Sequence, residues 1–359
     1  MEFADEAPKL LMLLYGLVAF VVVVGGLLLL LDAIPNHLAR RREQRLVAAS
    51  TAKGGPGGDR PAGDRPTRAA RPRRGEALFA AIFLFPAIAL LLIGLVVPAV
   101  RTTLLSFMDG GSVNWVGLRN YGWMFSQPEI LDVLINTLMW VVLVPLLATG
   151  MGLLYAVMVD KARFEAIAKS LIFMPMAISF VGAGIIWKFV YAYRSEEQEQ
   201  IGLLNQIAVS LGGEPKQWLL NSPLNTLLLI AVMVWIQAGF AMVVLSAAIK
   251  AIPAEIVEAA RLDGVNAWQM FRRITLPSIR PALIVVVVTI SIATLKVFDI
   301  VRTMTNGNFN TSVIANEMYN QAFRFGQVGQ GSALAVFLFV LVIPIVIYQI
   351  RNLRQQREG

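Results

Sequence analysis

The 359-residue sequence contains no cysteine, one histidine and only 15% charged residues. Without cysteine there is no disulfide, thiolate metal site, iron–sulfur cluster or thiol nucleophile. His37 alone supplies neither a histidine metal site nor a Ser-His-Asp triad. No Gly-x4-Gly-Lys-Ser/Thr phosphate loop occurs, so the chain lacks the usual means of hydrolysing ATP. Catalytic and metal-ligating residues are therefore expected to be absent. An average soluble domain is about 25% charged. Here the shortfall is matched by 57% hydrophobic residues and a mean hydropathy of +0.66. A surplus of that size cannot be hidden in one soluble core, which excludes a soluble enzyme.

What is present are long apolar runs. Seven stretches meet or approach the roughly 20 residues that cross a bilayer as a helix. They are residues 10–31, 78–100, 133–159, 171–190, 224–249, 282–301 and 332–350. The first is too long for a secretory signal, and its leader is acidic (Glu2, Asp5, Glu6) with only Lys9 basic, so it reads as a retained helix. Of the 31 Lys and Arg, 22 lie in residues 32–77, 160–170, 250–281 and 351–359, and 7 lie in the alternate loops. The positive-inside rule then puts the C-terminus in the cytoplasm and, with seven spans, the N-terminus outside. Residues 47–75 are rich in Gly, Pro and Arg and bury too little apolar surface to order. The organisation expected is an extra N-terminal transmembrane helix (1–32), a basic disordered linker (33–77), a six-helix all-α membrane core (78–350) and a cytoplasmic tail (351–359). The net charge of +8 thus records topology and calls for no nucleic-acid partner.

The cytoplasmic loop 250–281 has a definite local code. Pro253 suits a first helical turn and 254–262 are good helix formers. Gly264 fits a left-handed C-terminal cap, and Asn266 caps a second helix over 267–275 that ends before Pro277. Apolar Ile256, Ala260, Trp268, Phe271 and Ile274 lie among Arg261, Asp263, Arg272 and Arg273. The product is a helix–turn–helix apolar enough to dock, with Glu258 and Arg261 at a spacing that allows either an internal pair or a partner contact.

The same loop carries a long motif: Glu258-Ala259-Ala260, three residues, Gly264, nine residues, then Ile274-x-Leu276-Pro277. It resembles the EAA loop of binding-protein-dependent ABC importer permeases at every fixed position. The stretch 115–121 (WVGLRNY), Asn136-Thr137 and Leu171-x3-Pro175 are similar to the sugar-permease branch. Residues 78–355 resemble the larger permease subunit of maltose-type importers, and the region from Lys296 onward looks most like the α-glucoside permeases. The resemblance implies a six-helix permease core in a bacterial or archaeal plasma membrane. It implies ATPase coupling through Glu258, Ala259, Ala260, Gly264, Ile274, Leu276 and Pro277. It also implies a second permease, an ATPase dimer that binds ATP and Mg, an extracytoplasmic sugar-binding protein, and no cofactor in this chain.

Polar residues within spans tend to face a bundle interior or a water-filled cavity. Ser179, Gln237 and Thr294, with Phe240 one turn from Gln237, are the candidates for a substrate pathway. Lys296 and Asp299, three residues apart, are expected to neutralise one another. Glu196, Glu197 and Glu199 form an acidic outer run. The expected activity is import of an α-glucoside-type sugar, with glycerol phosphate or another oligosaccharide as the alternative solute. A secondary transporter would show internal repeats or ionisable relays, and a membrane enzyme a catalytic cluster; neither pattern is found.

Overall fold

The computed structural model describes residues 74–358 except 161–162 and 196. The expected N-terminal helix and nearly all of the linker lie outside the described residues. Helix α1 (Arg74–Leu91), a π-helical turn (Leu92–Val96) and α2 (Val97–Leu105) form one apolar rod. No side chain from Phe83 to Leu105 is buried, the condition of a helix whose apolar surroundings lie beyond its own chain. A short α3 (Arg119–Ser126) leads into α4 (Pro128–Val159). At 1.5 Å per residue a 32-residue helix is about 48 Å long, more than the roughly 30 Å of a bilayer interior. The remaining long helices are α8 (Leu224–Lys250) and α15 (Val328–Glu358), which follow α5 (Glu165–Phe173), α6 (Phe180–Val190) and α7 (Leu203–Ser210) or close the chain. Among the described residues four helices are long and apolar enough to cross a membrane, and two bent pairs bring the number to six.

Helix α8 is the central one, with buried side chains along its length, and α4 packs along it. The approach is close because Gly152 on α4 has no side chain. A Cβ there would stand 2.4 Å from the Cβ of Ala241 and 2.8 Å from the backbone nitrogen of Met242. Trp140, Val144, Leu229, Met233, Met242, Leu245, Ile290 and Ile300 fill the shared core.

Two expected spans are interrupted, the first at a proline-containing turn. The span 171–190 changes direction by 102°. Met174–Ala177 is a 3₁₀ turn containing Pro175, Ile178 is extended, and Ser179 restarts the helix by accepting the Gly182 N–H at 3.1 Å. The span 282–301 is not one helix: α12 (Arg280–Leu295) ends at Lys296, and a separate α13 (Asp299–Met304) follows. This break removes the i,i+3 relation of Lys296 and Asp299, and among the described residues no ion pair joins them.

The residues after α13 correct a second expectation. The segment 302–330 reads as an outer loop, yet much of it is core. Thr305, Thr311, Val313, Ala315 and Asn316 are buried, Val313 in the main apolar cluster, and Ile314 in a smaller one with Met124, Val133 and Leu334. The connection from 305 to 313 is held by side chains reaching in from long helices. Asn136 Nδ2 donates to Asn310 O at 2.8 Å and Ser312 O at 3.1 Å. Thr137 Oγ1 accepts from Ile314 N at 3.0 Å, and Asn225 Nδ2 donates to Phe309 O at 2.7 Å. The segment needs such anchors because Asn306, Phe309 and Asn310 all hold positive φ near 59°. Asn136-Thr137 is thus a clamp on a distant segment.

Two outcomes follow from this packing. Gly152→Val should lower the stability of the detergent-purified chain by about 1–3 kcal/mol, the usual range for overpacking, read as a fall in thermal midpoint. Asn136→Ala leaves two carbonyls without their donor at about 1–3 kcal/mol each, and should open the 305–313 segment to limited proteolysis before global unfolding.

Candidate coupling surface and substrate pathway

The segment 250–281 sits at the end of the bundle where α8 stops and α12 begins. Helix α9 (Ala254–Leu262) starts after Pro253, whose ψ of 133° makes it the non-helical residue before the first turn, one position earlier than expected. The helix closes with Gly264 at φ 76°, Gly264 N–H donating to Arg261 O at 3.1 Å and Val265 N–H to Ala260 O at 3.1 Å. These two bonds satisfy carbonyls that any helix end leaves orphaned. Next, Asn266 Oδ1 accepts from Gln269 N at 2.9 Å while Gln269 Oε1 accepts from Asn266 N at 3.0 Å, a reciprocal cap for α10 (Ala267–Met270).

The second helix does not end before Pro277. It passes through a π-helical turn (Phe271–Thr275) into α11 (Leu276–Ser278) and breaks only at Ile279, before a 68° bend into α12. The π turn ends two residues before the proline and lets Leu276 N–H reach back to Phe271 O. A widened turn ahead of a residue that has no N–H keeps the chain helical where proline would otherwise stop it.

What this scaffold exposes is apolar. Leu262 is 89% exposed, Trp268 65% and Ile256 47%, with Trp268 stacked on Phe271 at 5.8 Å between ring centroids. Glu258, Ala259 and Pro277 are also exposed; Ala260 is buried beneath them, and Ile274 and Leu276 are half-buried. Among the described residues Glu258 makes no ion pair, so its carboxylate is uncommitted within the chain. Leu262, the most exposed of these, is not among the sequence candidates: at the last turn of a short helix, periodicity does not say which side faces out.

The four pathway candidates are spread along three elements. Gln237 on α8 is buried, but its amide has no hydrogen-bond partner among the described residues, and Phe240 lies half-buried one turn on. Thr294 is fully buried and donates to Ile290 O at 2.7 Å within its own helix. Ser179 spends its oxygen on the α6 cap. The structure adds a polar group that the loop reading hid. The Arg302 guanidinium lies 4.6 Å over the Tyr319 ring and donates to Asn320 Oδ1 at 3.0 Å. Asn316, fully buried on α14 (Ile314–Tyr319), keeps a side-chain oxygen with no partner.

At the opposite end of the bundle a cavity of about 750 Å³ opens between α3 and the start of α15, lined by Asp109, Arg119, Trp123, Gln127, Gln327 and Gln330 among others. The Val113 N–H and then the Asn114 side chain hold the Asp109 carboxyl below its ordinary pKa. Among the described residues no group of acidic and histidine side chains is arranged to hold a metal ion.

The comparisons agree on the family. A family model described as "Binding-protein-dependent transport system inner membrane component" matches residues 129–358. The osmoprotective compounds uptake permease protein GgtC of Synechocystis sp. is 51% identical over 277 residues, covering 77% of this chain and 99% of that protein. The alpha-glucoside transport system permease protein AglF of Rhizobium meliloti is 48% identical over 279 residues, covering 77% and 83%. The fold is shared with the crystal structure of a bacterial ABC transporter involved in alginate import, at TM-score 0.67 and 24% identity over 79% of this chain and 96% of that one. A multi-pass helical bundle without a nucleotide motif, carrying the capped 250–281 segment, therefore belongs to the binding-protein-dependent transport inner-membrane components, the permeases of ABC importers.

Proposed function

We propose that this chain forms half of the translocation pathway of an ATP-driven importer for an α-glucoside-type sugar and receives the work of a separate ATPase through residues 250–281. The single observation that carries the coupling half is the shape of that segment. Two capped helices hold Ile256, Leu262 and Trp268 in the open beside an uncommitted Glu258. An apolar knob flanked by charge on a rigid frame suits a cleft in a second protein. The segment is joined directly to α8 and α12, so a displacement of the knob becomes a rigid-body displacement of both helices. ATP and Mg belong to the ATPase, and a second permease and an external solute-binding protein complete the assembly. The loaded binding protein and ATP favour one orientation of the bundle by binding it more tightly, and hydrolysis releases it. With this end in the cytoplasm the C-terminus is cytoplasmic too.

The solute assignment is supported by the likeness to AglF and by groups suited to hydroxyl-rich ligands: the Gln237 amide, which bonds no other described residue, beside Phe240 on α8. Sugars require such pairing of hydrogen bonds with an apolar face once dehydrated. The likeness to GgtC favours a second reading, a small osmoprotective solute.

For coupling, Gly264→Val forces a β-branched residue into a left-handed conformation, and Glu258→Lys reverses the docking charge. Both variants should insert in the membrane in normal amounts and lose import and stimulation of the ATPase. Wild-type transport in both would refute the coupling role. For the solute, Gln237→Leu should raise KM for an α-glucoside by about tenfold, the worth of one good hydrogen bond, with assembly unchanged. Competition of labelled α-glucoside uptake by unlabelled osmoprotectants decides between the two solute classes.

A further inference from the structure

A cluster of charges lies beside the coupling segment without forming part of it. Asp160 ends α4, Glu165 and Lys169 lie on α5, and Ser246 and Lys250 occupy the last two turns of α8, four residues before α9. Lys169 Nζ lies 2.5 Å from Asp160 Oδ1 and 2.7 Å from Glu165 Oε1, and also donates to Ser246 Oγ. Ser246 Oγ in turn donates to Asp160 Oδ1 at 2.7 Å, and Lys250 pairs with Glu165.

The arithmetic of donors singles out Lys169. An ammonium has three donors and no acceptor, and here it faces one partner on each of three elements: the end of α4, its own helix α5, and α8. The site is sheltered: the side chains of Asp160 and Lys169 are 12% and 21% exposed, and Ser246 is buried. Removing one member of a sheltered ionic network leaves uncompensated charge, unlike the loss of a pair on an open surface. Without Lys169, Asp160 and Glu165 would face each other across the corner that seats α8. The second ammonium of the cluster, Lys250, pairs among the described residues only with Glu165.

We infer that Lys169 is a positioning residue for energy coupling: it locks the end of α8, and with it the 250–281 segment, to the α4–α5 corner, so that the three move as one body. The inference rests on the coupling reading above and adds the element that makes the knob rigid. A push delivered at α9 then turns the bundle. With the lock gone it flexes the joint at 251–253 and is lost.

The test uses the complete reconstituted importer and measures solute imported per ATP hydrolysed. Lys169→Met should lower that ratio about fivefold or more, the lower end of typical coupling free energies, while ATP hydrolysis continues. In case stranded carboxylates prevent that variant from folding, the paired change Asp160→Asn with Lys169→Met removes a charge of each sign and should show the same loss of coupling. The absence of cysteine allows spin labels at Phe164→Cys and Glu255→Cys, both exposed positions, to report the distance between corner and coupling helix. Their distance distribution should be narrow in the parent and broad in the paired variant. A parental import ratio in the paired variant overturns the lock, as does a lost ratio with an unbroadened distribution. Glu258→Lys is run alongside. If it uncouples the importer while the paired variant does not, only the lock fails; if it imports normally, the coupling reading fails and the lock with it.

Discussion

Backbone polar groups in apolar surroundings must find their partners within the protein, and this constraint shapes the whole bundle. Continuous helices meet it automatically, and four of them are long and apolar enough to span. Where the chain bends, something has to take over the freed groups. Ser179 does so by capping α6 after the Pro175 turn, and a π-helical turn does so ahead of Pro277. The largest debt falls at 305–313, an irregular stretch within the packed region, and Asn136, Thr137 and Asn225 meet it from α4 and α8. Polar residues inside an apolar bundle invite a reading as ligand groups. Here several of them are occupied with the protein's own backbone.

The same principle separates the two ends of the molecule. At the 250–281 end the short helices satisfy their termini locally, through the Gly264 and Asn266 caps, so the segment keeps its shape without being buried. That independence leaves Leu262 and Trp268 exposed. At the opposite end the segment from 296 to 324 packs against α4, α6, α8 and α15, and Thr305, Thr311, Asn316 and Asn320 are buried there. An exposed segment and an enclosed one differ mainly in where their hydrogen bonds close.

The legibility of these features in the sequence follows the range of the interaction that fixes them. The extent of α9, the left-handed Gly264 and the Asn266 cap were readable because each is decided within about five residues. The run 224–249 was readable because a continuous apolar stretch bounded by polar loops has one low-energy outcome. The course of 171–190 and 282–301 was not, since hydropathy averages over a window and is blind to a 102° turn inside it. Pro277 was read as a stop because proline ordinarily is one, and the π turn that accommodates it has no sequence signature. For Gln237 and Thr294 the residue type alone offers the same reading; only the structure shows the Thr294 hydroxyl bonded to Ile290 O within its own helix.

By itself the sequence determined the apolar spans of the core, the lack of cysteine and of a phosphate-loop motif, and the local form of the 250–281 segment. Each depends on composition or on neighbours along the chain. The tertiary structure alone decided that 302–330 folds back into the bundle, that Asn136 serves a segment more than 170 residues away, and that Lys169 joins α4, α5 and α8. Those contacts link residues far apart in sequence, and a side chain's partners there depend on how the helices pack rather than on which residues flank it.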